Sequence, residues 1–98
     1  MSSPDAIAEV ASAIAQLWDE GCPVAAKPDE MAPIAVRRWT SSAQRGVDSQ
    51  DVRARVRDLT KGLIAHFERD PAMTGPLRRD YECVAERVHR VMAKLALE

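Results

Sequence analysis

The sequence predicts an all-α fold, a small four-helix bundle with helices at about 4–20, 31–43, 49–69 and 76–96. Three observations carry this. Apolar residues recur at three-to-four spacing in these segments, and no segment reads as a strand. Helix start and stop residues bracket them. The chain has 98 residues, enough for one modest core and too few for two, so residues 1–98 are expected to form a single helical domain. Hydrophobic residues make up 46% of the chain, but 16 of them are alanine and four are aromatic. The core must therefore come from Val, Leu and Ile, with alanine between them.

The first helix starts with Ser3 as N-cap, Pro4 at the first helical position and Asp5 in the first turn, each favoured there. Ile7, Val10, Ile14, Leu17 and Trp18 form its apolar face. Gly21 supplies a left-handed stop and Pro23 prevents resumption. The second helix is placed at 31–43 because Pro33 is cheapest in a first turn, where its missing N–H has no partner to lose. Its apolar residues Ile34, Val36 and Trp39 do not form one stripe, and Thr40, Ser41 and Ser42 weaken its end.

The third helix has Asp48 as predicted N-cap, Asp51 three residues on, and Val47 and Val52 as a hydrophobic staple. Val52, Val56, Leu59, Leu63 and Phe67 follow at spacings of 4, 3, 4 and 4. Gly62 interrupts this pattern at about 1 kcal/mol relative to alanine, which points to close approach of a neighbour. Asp70-Pro71 ends the helix, and a short loop to Gly75 makes helices three and four antiparallel neighbours. In the fourth helix Leu77, Tyr81, Val84, Val88, Val91 and Leu95 repeat as a narrow seam. That seam suits a bundle core or, alternatively, a homodimer interface through helix four.

Two helix ends run against the macrodipole: Asp19 and Glu20 close the first helix, and Arg78 and Arg79 open the fourth. The expectation is that these ends meet in the fold. Cys22 and Cys83 are too few for a disulfide framework, and free thiols in a reducing cytoplasm are expected. Cys83, beside the seam, reads as a small buried hydrophobe. The first residues lack the pattern of a signal peptide, and no run reaches the roughly 18 apolar residues of a membrane span. Eleven Arg against three Lys suggests GC-rich codons and a bacterial or phage source.

Catalytic signatures are absent. The four glycines are scattered, with no phosphate loop or dinucleotide fingerprint, and there is no HExxH or GxSxG. His66 and His89 lie on different helices, and Cys83 and His89 are six residues apart, off the i, i+4 spacing of paired ligands. No enzyme activity, cofactor or metal is therefore expected. Charge is more informative. Residues 1–30 hold six acids and one Lys, residues 31–67 seven bases and three acids, and the rest balance, for a net charge of −1. Arg53, Arg57 and Lys61 recur every four residues as one stripe. Trp39 follows Arg37 and Arg38, and Arg and Trp dominate interface hot spots.

The expected function is that of a non-enzymatic interaction protein (adaptor, inhibitor or assembly subunit). Its expected partner-binding residues are Arg37, Arg38, Trp39, Arg53, Arg57 and Lys61, facing an acidic protein surface. Arg38→Ala is expected to weaken binding while leaving the melting temperature nearly unchanged. The runner-up is a DNA-binding regulator using helices two and three. It is disfavoured by the long Thr40–Asp48 connection and by Asp48 and Asp51 at the helix start. A small thiol or metal enzyme is the third reading.

Overall fold

A computed structural model describes residues 4–67 and 75–97. The described residues form four α-helices, α1 (Pro4–Asp19), α2 (Pro28–Thr40), α3 (Val52–Phe67) and α4 (Gly75–Leu97), with 3₁₀ turns at Pro23–Ala26 and Ser42–Arg45. No strand occurs among the described residues. The predicted cap at Ser3, the stop at Asp70-Pro71 and the extension of the third helix to residue 69 lie outside them. The helices pack in a ring: α1 on α2, α2 on α3, α3 on α4, and α4 back on α1. Arg78, near the start of α4, shares a recess with Lys61, Ile64 and Ala65, late in α3. His89, further along α4, lies within electrostatic reach of Arg55, early in α3. The two helices therefore run antiparallel.

The end of α1 follows the expected chemistry. Gly21 adopts φ +97°, its N–H donates to the Trp18 carbonyl, and the Cys22 N–H donates to the Leu17 carbonyl, both at 3.0 Å. This is a Schellman stop. It also turns the chain away before Trp18 can be covered: Leu17 is buried, but Trp18 is 58% exposed, against expectation.

α2 starts and ends three residues earlier than predicted. Pro28 occupies the first turn with Asp29 and Glu30 behind it, a stronger start than Pro33 could provide. Pro33 is carried inside the helix, close enough to its start that a single backbone bond is forgone. At the other end the Thr40 and Ser41 hydroxyls donate to the carbonyls of Arg37 and Arg38. These short side chains take carbonyls that a longer helix would use. Met31, Ala32, Ala35 and Val36 are fully buried, a continuous stripe made mostly of small residues.

In α3 the cap is Asp51, not Asp48. The Ala54 N–H donates to the Asp51 carboxylate at 3.1 Å, while the Asp48 carboxylate accepts from Gln50 N–H at 2.9 Å in the preceding turn. The helix thus begins at Val52, which is 54% exposed, so no staple seals this end. Leu59 and Leu63 are buried in one core cluster with α4 residues Tyr81, Val84, Ala85, Val88 and Met92, and Thr60 is buried as well. Ala85 and Met92 widen the predicted seam into a bundle face turned into the chain's own core. Leu77 lies outside the described side chains. Cys83, expected to be buried, is exposed. The α1 end meets α4 at its middle: Arg87 pairs with Glu20 at 3.2 Å, whereas Arg78 lies 3.9 Å from Glu82.

Candidate functional site

The six residues expected to form one recognition surface are divided among three environments. Arg38 is turned inward. Its side chain lies across Gly62, where an added Cβ would stand 2.8 Å from the Arg38 Cδ and Nε atoms. The absent side chain opens the passage the sequence hinted at, and Arg38 uses it to reach Asp58, one helical turn before Gly62. There it donates from Nη2 to Oδ1 at 2.8 Å and from Nε to Oδ2 at 3.2 Å. Arg45 joins from the 3₁₀ turn, pairing with both carboxylate oxygens and donating to the Ser41 hydroxyl and the Arg38 carbonyl. Burial pushes the Asp58 carboxyl up, but hydrogen bonds and charge from Arg45 and Arg38 outweigh it and hold the group below its ordinary value. These cations are engaged within the fold.

Trp39 is half-buried and fixed on both sides. Its indole N–H donates to His89 Nδ1 at 3.1 Å, and the Arg55 guanidinium carbon lies 3.6 Å from its ring centroid. Arg55 also donates to the Trp39 carbonyl at 3.0 Å and the Ser49 carbonyl at 3.2 Å. Its Nε is buried without a partner, and burial lowers its pKa. Arg55 was not among the sequence candidates, yet it ties α2, the 46–51 connection and α3 together. Burial, then the Arg55 charge, pushes the His89 imidazole below its usual value. With Nδ1 accepting from the indole, the neutral ring carries its proton on Nε2.

Arg53 and Arg57 remain on the surface, and so does Arg37. The first two line a groove of about 630 Å³ between α3 and α4. Val52, Val56 and Ala93 supply its apolar lining, with His89 beside them. Buried Thr60 gives its hydroxyl to the Val56 carbonyl at 2.8 Å. The rims carry Arg53 and Arg57 from α3, and Arg78, Glu82, Glu86 and Arg90 from α4. Lys61 sits outside this groove, in a neighbouring recess with Arg38, Arg45 and Asp58. The predicted stripe is therefore split after Arg57.

The α4 rim was missed in the sequence, although Arg78, Glu82, Glu86 and Arg90 recur every four residues and so share one helix face. Periodicity identifies such a row but not the helix it faces. Chemically, the groove offers apolar contact and guanidinium donors. Among the described residues no group of three or more His, Cys, Asp or Glu side chains could hold a metal ion, and no helix is long and apolar enough to cross a membrane. Comparison with protein-family models, curated proteins and solved structures returned no match to this chain.

Proposed function

We propose that the chain is a non-enzymatic interaction module, acting as an adaptor, inhibitor or assembly subunit, whose α3–α4 groove takes an acidic amphipathic helix of a partner protein. One observation carries this reading: an apolar groove whose rims hold four guanidinium groups against two carboxylates. An apolar lining rewards burial of carbon, and arginine rims select carboxylates with paired hydrogen bonds. The α3 rim from Val52 to Thr60 rises about 12 Å, a little over two helical turns. Arg53 and Arg57 are one turn apart and match acids at i, i+4 on the incoming helix. A nucleic-acid backbone fits less well, since Glu82 and Glu86 would face phosphate. In addition, eleven residues separate Thr40 from Val52, where a helix-turn-helix uses three to four.

The test uses a designed acidic amphipathic peptide, its scrambled counterpart and duplex DNA, titrated by calorimetry at low and physiological salt. The acidic helix should bind, with an affinity that falls as salt rises. Arg57→Glu should weaken it by about 30-fold, the equivalent of a 2 kcal/mol hot spot. Arg37→Glu, outside the groove, should change affinity less than twofold. Equal binding of the scrambled peptide would remove the helical specificity. Tighter binding of DNA, lost in Arg57→Glu, would replace this reading with the regulator.

A further inference from the structure

The residues leaving α1 run onto α4 at two points. Glu20 reaches Arg87 at 3.2 Å, and the Cys22 thiol lies 3.8 Å from the Asp80 carbonyl oxygen. Asp80 and Arg87 are seven residues apart, two turns along one face of α4. Cys83 stands between them on that face, one turn beyond Asp80. The Schellman turn at Gly21 thus brings Cys22 within electrostatic reach of Cys83, although 60 residues lie between them in sequence. Both thiols are free; Cys22 is half-buried and Cys83 exposed.

We infer that Cys22 and Cys83 are a paired modification site that closes an intramolecular disulfide when the chain meets a low-molecular-weight disulfide such as oxidised glutathione. The exposed Cys83, as thiolate, attacks one glutathione sulfur and expels one glutathione thiolate. Cys22, after losing its proton to solvent, attacks the Cys83 sulfur of the mixed disulfide and expels the second. Two protein thiols give up two electrons and two protons, and one oxidised glutathione becomes two reduced molecules. The Cys83 thiol is raised by burial, and then by the neighbouring Cys22, Glu86, Asp80 and Glu82. The first attack is therefore slow at neutral pH and accelerates in mild alkali. The bond staples the segment that leaves α1 to α4.

The experiment exposes the native full chain to oxidised glutathione in mildly alkaline buffer, traps remaining thiols with an alkylating agent, and reads intact mass and digest peptides. The expected product is a monomer lighter by two hydrogens, with a Cys22–Cys83 cross-linked peptide and no retained glutathione. Its melting temperature should rise by roughly 20 °C, as closing a loop of this length predicts. Cys22→Ser should leave Cys83 as a stable glutathione adduct. Stable adducts on both cysteines of the unaltered chain, or cross-links only between molecules, would overturn the pairing.

Discussion

The α2–α3 face and the α3–α4 groove draw cations from the same basic stretch, and they use them in opposite ways. On the first, Arg38 and Arg45 converge on Asp58, whose side chain is 11% exposed. In the second, Arg53 and Arg57 border solvent beside an exposed Val52. Asp58 directly follows Arg57 in sequence, yet the 100° step of the helix sends the two to different neighbours. A run of positive charge is thus not itself a recognition surface. What matters is whether the fold also brings an acid within reach, and here a glycine one turn away decides that for Arg38.

Four measurements test this contrast. The largest effect is expected where both regions share a foundation. Leu59 is fully buried on α3, so Leu59→Ala should cost about 2–5 kcal/mol in chemical denaturation and weaken both regions. Next is Asp58→Asn, which leaves two guanidinium groups without their counter-charge. A loss of about 2 kcal/mol is expected, below the range for a fully buried pair because both arginines reach water. The same variant should flatten the acid limb of the stability curve. The folded carboxyl is held below its ordinary value of 3.8, so its contribution is complete above that pH and disappears as pH falls through the folded value.

A smaller effect separates Arg38→Ala from Arg57→Ala. The first should lose about 1 kcal/mol of stability with little change in peptide affinity, and the second the reverse. This differs from the sequence expectation that Arg38→Ala leaves the melting temperature nearly unchanged, because Arg38 is paired with Asp58. The smallest effect is at His89. Its folded value lies below the ordinary 6.5, so the unfolded chain protonates first. Stability should decline as pH drops through 6.5 and level off below the folded value. His89→Gln should reduce that slope, and an unchanged slope would remove the imidazole from the account.

Much of the fold was legible because it rests on local chemistry. Gly21 and the Ile7-to-Leu17 spacing define α1 with no tertiary information. The errors are equally local in origin. Two aspartates three residues apart, Asp48 and Asp51, both make good caps, and only the path of the preceding turn selects the second. The buried stripe of α2 escaped notice because Ala32 and Ala35 look like filler, although on a helix packed closely against its neighbours a methyl group is the right size. Trp18 adjoins Leu17 at the margin of the apolar face, where a single residue decides between core and solvent. In the candidate groove, the shared helix face of Arg53 and Arg57 was readable from period alone. Arg38 and Trp39 were not, since their partners Asp58 and His89 are 20 and 50 residues away.

The two tryptophans give the molecule built-in optical reporters of different regions. Trp18 stands in water at the end of α1, and its emission should lie to the red. Trp39 is enclosed between a guanidinium and an imidazole, and its emission should lie to the blue. A proton on His89 Nδ1 would displace the indole N–H and place a quencher beside that ring. Replacing Trp18 with phenylalanine would leave one tryptophan whose intensity follows the imidazole, so events next to the groove could be timed in solution without any attached dye.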